Sequence, residues 1–169
     1  GSGSGTTLFL YTPNDTTNLS TGIPITDGVI EETPTLEEKT VTYTVSNSNS
    51  AQPVAYFTSG TSILSNTIIP AGTWQYRFYA KKSISTANIQ YRLKFSYQTS
   101  TSSVSFYTAS DSISSTTKEE YTLTFNVDDI YLPTSGPNTL QIELSVQDMS
   151  PSTNTNPTVT FYYGRDTLA

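Results

Sequence analysis

Ile68-Ile69-Pro70-Ala71-Gly72-Thr73-Trp74-Gln75-Tyr76-Arg77-Phe78-Tyr79-Ala80-Lys81 is the stretch whose reading decides the fold. Pro70 and Gly72 open it with a turn: proline fixes its own φ, and glycine accepts backbone geometry other residues resist. Trp74, Tyr76, Phe78 and Ala80 then alternate with Gln75, Arg77, Tyr79 and Lys81. Side chains along a strand point alternately to two faces, so this pattern predicts a strand with one buried and one wet face. Trp74, the only Trp of the chain, is expected to anchor the core from the buried face.

The same period recurs on both sides. Upstream, Thr7 to Thr12 is a short β-type run, Val41, Tyr43 and Val45 alternate with Thr, and Val54 to Thr58 is a further strand. Downstream, Ile89, Tyr91, Leu93, Phe95 and Tyr97 alternate with Gln90, Arg92, Lys94 and Ser96. Val104 to Thr108, Tyr121 to Val127, Leu140 to Val146 and Thr158 to Tyr163 complete the set. About eight to ten short strands without helical periodicity predict an all-β chain, an antiparallel β-sandwich with a jelly-roll-like arrangement. Periodicity does not separate a jelly roll from other sandwich topologies, though no Cys…Trp…Cys pattern of an immunoglobulin domain is present.

Composition agrees. Only 13% of residues are charged and 12% are aromatic, with Ser, Thr, Asn and Gln making up much of the rest. Disordered chains carry high charge and few aromatics, so this one is expected to fold. Residues 1–5 read as an appended Gly/Ser linker, and the chain, which starts without Met, as a piece of a longer protein. Residues 6–39, punctuated by Gly22, Pro24, Gly28 and Pro34, read as an irregular neck or first strand, and 40–169 as the sandwich head.

Several chemistries are disfavoured at this level. The chain has no Cys and no His, which removes disulfides, thiolates, the usual general base and the commonest metal ligand. No nucleophile–base pair is visible, and no catalytic residue, metal site or cofactor is predicted. Asp128, Asp129 and Asp148 sit at strand ends, where a turn role is preferred over Ca²⁺ ligation. Glu31, Glu32, Glu37 and Glu38 read as a solvated loop, and Asn14 and Asn18 match a weak glycosylation pattern. No apolar run reaches the length of a membrane span, so no membrane insertion is expected. Arg77, Lys81, Lys82, Arg92 and Lys94 concentrate on two successive predicted strands, yet the net charge is −6, and no nucleic-acid partner is expected.

Five motifs in order carry a resemblance. They are Ile69-Pro70-Ala71-Gly72-Thr73-Trp74, the regular strand at 89–97, Thr116-Thr117-Lys118-Glu119-Glu120-Tyr121-Thr122-Leu123-Thr124, Leu140-Gln141-Ile142-Glu143-Leu144, and the closing Thr158-Val159-Thr160-Phe161-Tyr162-Tyr163-Gly164. Together they resemble a β-sandwich module near the ends of phage tail-fibre and spike proteins and of surface fibres of large DNA viruses. The resemblance spans roughly residues 65–166. It implies a jelly-roll-like head, usually a homotrimer, on the virion surface, where it contacts a host-surface glycan or protein. Two other readings stay open: a capsid or collar decoration domain, and a polysaccharide-degrading enzyme using paired carboxylates.

Candidate contact residues follow from strand phase. Arg77, Tyr79 and Lys81 are expected outward, as are Tyr107 and Tyr162, opposite in phase to Phe106 and Phe161. An outward Tyr can touch a ligand, touch another protomer, or be plain surface. The polar loops 99–103, 111–117 and 148–157, at one end of the sandwich, are further contact candidates. If the strands at 73–81 and 89–97 are neighbours, they form one basic face. That face would meet Glu119, Glu120 or Glu143 of the next protomer in a threefold ring.

Overall fold

The computed structural model describes residues 7–11, 25–32, 39–45, 50–61, 63–64, 68–134, 138–150 and 156–163. Asn14, Asn18, Glu37 and Glu38 lie outside them, as does most of the predicted neck. Every regular element among the described residues is a strand. In chain order they are β1 (Phe9–Tyr11), β2 (Ile25–Glu31), β3 (Lys39–Thr44), β4 (Gln52–Ser59), β5 (Ile68–Ile69) and β6 (Gly72–Lys82). The second half contributes β7 (Ile89–Gln98), β8 (Ser103–Ile113), β9 (Glu119–Val127), β10 (Ile130–Tyr131), β11 (Thr139–Asp148) and β12 (Thr158–Tyr163).

These build a six-stranded sheet ordered β1-β2-β4-β11-β7-β8, a four-stranded sheet ordered β3-β12-β6-β9, and a small β10–β5 ladder. All pairings are antiparallel except β2 with β4. The pairings are nested: β7 with β8, β6 with β9, β4 with β11, and β3 with β12. The pairs β12–β6 and β11–β7 then roll this four-deep hairpin into two sheets. That nesting, with β1 and β2 added to the edge of one sheet, is the topology of a jelly roll.

The buried face of each strand supplies the core. Tyr76, Phe78 and Ala80 of β6 face Ile89, Tyr91, Leu93 and Phe95 of β7 across the sandwich. Aromatic rings stitch the two sheets: Phe78 meets Tyr91 edge-on at 4.8 Å, and Phe95 meets Phe125 at 4.9 Å. Edge and tilted arrangements suit the ring quadrupoles better than face-to-face overlap. Trp74 does point inward, against Phe95, Phe106 and Phe125, but its position near the start of β6 leaves it half-buried. Tyr121 is also inward and half-buried, and its hydroxyl accepts hydrogen bonds from the backbone N–H groups of Ser114 (3.1 Å) and Ser115 (3.0 Å). One side chain thus fixes the turn that carries the chain from one sheet to the other.

Four features differ from the pattern-based expectations. The strands at 73–81 and 89–97 lie in opposite sheets, so Arg77 and Lys81 share no face with Arg92 and Lys94, and the single basic face does not form. Tyr107 points inward: its ring stacks on buried Phe125 at 4.0 Å and 8°. The cause is a register shift between Phe95 and Ser96, where β8 carries Phe106 as an extra residue, so Phe106 and Tyr107 both reach the interior. The stretch read as irregular contains β2, whose Thr26-Asp27-Gly28 breaks the alternation because its pairing with β4 is itself shifted between Ile25 and Gly28. A Cβ on Gly28 would sit 2.5 Å from the Tyr56 carbonyl oxygen, so the backbone approach there requires glycine. Lastly, β8 continues through Asp111 to Ile113, which shortens the loop expected at 111–117.

Candidate functional site

The outer face of the four-stranded sheet brings four of the five candidate residues together. Partners in an antiparallel pair share a face, so the register can be read across the sheet. Tyr79 of β6 lies opposite Tyr162 of β12 on one side and Glu120 of β9 on the other. Arg77 lies opposite Thr122, and Lys81 opposite Thr160. Thr160 in turn faces Thr42 of β3, their Oγ1 atoms 3.1 Å apart. The surround is therefore rich in hydroxyls, while Tyr79 and Tyr162 supply a pair of adjacent rings.

Lys118, in the β8–β9 connection, completes the arrangement. Its Nζ lies 4.6 Å from the Tyr162 ring centroid and 5.3 Å from that of Tyr79. The negative face of each phenol ring attracts the ammonium, and two rings together orient it. Tyr79 also hydrogen-bonds the Glu120 carboxylate through its hydroxyl. Its phenol is held above the ordinary value of 10.0 by desolvation first, then by that hydrogen bond and the Glu120 charge, with Lys118 and Arg77 pulling the other way. Tyr79 is thus the donor of this pair and Glu120 the acceptor, with Arg77, Lys81 and Lys118 nearby.

Lys118 was not among the residues singled out as contacts, and Glu120 was expected only as an acid facing the next protomer. The available signal was Lys118-Glu119-Glu120-Tyr121 opening a strand, but its meaning depends on β9 pairing with β6, which local periodicity does not reveal. Tyr107 does not join this face, being packed in the interior. Glu143 belongs to the other sheet, opposite Lys94 on β7 and Tyr56 on β4. Glu120 already serves Tyr79 within its own chain. The charge pairing proposed between protomers therefore loses the face that motivated it.

The loops divide between the two ends. Ile89 pairs with both Ile113 and Asp148, so the connections after β8 and β11 lie at one end, next to Lys118. The Thr99–Ser102 turn lies at the other end and is closed on itself, with Thr99 N–H donating to the Ser102 carbonyl (2.8 Å) and Ser102 N–H to Thr99 Oγ1 (3.0 Å). Residues 151–155 fall outside the described set. Of the strand-end aspartates, Asp148 does turn work, its Oδ1 accepting from Ser150 N–H at 3.1 Å, whereas Asp129 Oδ1 accepts from Ala71 N–H at 2.6 Å and ties the connection after β9 to the turn before β6.

The fold and this face define an all-β protein with two main sheets. No model of a known protein family matches the chain, and no curated protein matches it either.

Proposed function

We propose that this chain is the non-enzymatic head of a viral fibre or spike, displayed on the virion surface and attaching to a host-surface glycan or receptor. The observation that carries the binding part is the Tyr79–Lys118–Tyr162 cluster, flanked by Arg77 and Lys81 on a rigid sheet. Tyr offers a large amphipathic contact surface at small entropic cost, and a sheet holds its side chains in fixed register. The viral part rests on the sequence resemblance. Jelly rolls occur in viral capsid and lectin domains, and fold alone would not decide between such roles. A homotrimer belongs to the proposal through that resemblance alone.

One observation favours the alternative, a capsid or collar assembly domain. β8 and β9 are edge strands of their sheets among the described residues. Near them Val104 is 40% exposed, and Phe106 and Leu123 are half-buried, as at a surface awaiting a protomer. A glycan array probed with the chain, paired with a reducing-sugar assay and light scattering, separates the readings. Attachment predicts captured glycan, no sugar release and a trimer mass. An assembly domain predicts a trimer with a blank array, and an enzyme predicts sugar release.

A further inference from the structure

We propose that the Tyr79–Lys118–Tyr162 face takes a linear anionic polysaccharide, laid along β6 with its carboxylate or sulfate groups at Lys118, Arg77 and Lys81. This rests on the attachment reading and specifies its ligand class. Charge is the first argument. The chain carries −6 overall, yet among the described residues the outer face of the four-stranded sheet, with Lys118 beside it, carries three cations (Arg77, Lys81, Lys118) and Glu120 as its carboxylate. Spacing is the second. Arg77, Tyr79 and Lys81 are successive same-face positions, about 7 Å apart, so the cations form a row along the strand with an aromatic ring between them.

The chemistry of the row fits a sugar chain. Lys118, oriented over two rings, presents a pre-positioned ammonium rather than a freely rotating one. The Tyr rings offer apolar surface to the C–H faces of a pyranose, while Glu120, Thr122 and Thr160 can hydrogen-bond sugar hydroxyls. A polyphosphate would also find cations and rings here. The acceptor Glu120 at the centre suits a hydroxyl-bearing ligand, and a polyphosphate has nothing to donate to it.

The test is biolayer interferometry of the full chain on immobilised alginate, dextran sulfate, neutral dextran and oligo-dT, at about 0.15 M salt where diffuse attraction is screened. Binding to alginate, dextran sulfate or both is expected, with the stronger of the two identifying carboxylate or sulfate as the recognised group. Lys118→Gln and Tyr162→Ala should each weaken it about tenfold or more, while Arg92→Gln on the opposite sheet leaves it unchanged. Thermal melts of the variants confirm folding, and Lys118→Gln, which removes no core contact, carries the test if Tyr162→Ala unfolds. No polyanion binding, a preference for dextran or oligo-dT, or equal loss with Arg92→Gln would overturn the proposal. A glycan-array signal that survives both site variants would remove this site and leave the attachment reading standing. Sugar release with binding intact would do the reverse.

Discussion

Tyr107→Ala tests the point where strand periodicity and the structure disagree most sharply. Simple alternation turns Tyr107 to solvent, where truncation changes stability by about 0.5 kcal/mol or less. In the structure its ring lies 4.0 Å from that of Phe125, almost parallel, and 6.3 Å from Phe95. The contact joins β8 of the larger sheet to β9 of the smaller one. A buried Tyr removes about 150–250 Å² from water, and this one is half-buried. About 100 Å² at roughly 25 cal/mol per Å² gives about 2.5 kcal/mol. Ring stacking adds about 0.5–1.5 kcal/mol, and the rotamer freedom regained on truncation returns about 1 kcal/mol. The net expectation is a loss of about 2–3 kcal/mol, read from urea denaturation as a lower midpoint at unchanged slope. A cycle with Phe125→Leu should show coupling of about 0.5–1.5 kcal/mol. A loss below about 0.5 kcal/mol with no coupling would refute the bulge at Phe106 and restore the outward phase.

Three further outcomes are expected. Tyr121→Phe should cost about 1–2 kcal/mol in thermal unfolding, because the Ser114 and Ser115 N–H groups lose their acceptor; an unchanged melt would mean water replaces it without loss. Gly28→Ala should cost about 1–3 kcal/mol, since its Cβ meets the Tyr56 carbonyl and the Phe57 ring; a neutral effect would place β2 elsewhere than beside β4. Burial pushes Tyr91 up to about 12, with Asp111 and Tyr121 adding to it, and burial also raises Tyr76. A folded-state value above the unfolded 10.0 means the proton is held more tightly in the folded state, so stability is full below pH 10 and falls as pH rises from there. A phenolate absorbance titration should therefore show late-ionising tyrosines whose titration coincides with unfolding; a single step near pH 10 would contradict their burial.

What the sequence disclosed follows from what is local. The buried phases of β6, β7 and β9 were legible because each strand has one wet face, and the residues marked inward at Tyr76, Phe78, Tyr91 and Phe95 are buried; β11 shows the same alternation of residue types, although Ser145 and Gln147 on its polar phase are buried too. β2 was hidden because it is short of alternation, pairs in parallel, and spends a glycine on close approach to β4. Tyr107 was misphased because a single extra residue reverses every side chain beyond it. The site was half legible. Phase placed Tyr79 and Tyr162 outward, but their adjacency comes from a pairing between strands about 80 residues apart in sequence, and the nesting that creates it has no local signature. Lys118 entered only through β9 docking beside β6.

The most direct measurement of the attachment reading is a glycan array probed in parallel with the native chain and with the Tyr79→Ala/Tyr162→Ala double variant, shown by circular dichroism to be folded. The account predicts a discrete set of glycans captured by the native chain, enriched in acidic sugars, and lost from the variant. A blank array, or the same set captured equally by both proteins, would contradict it.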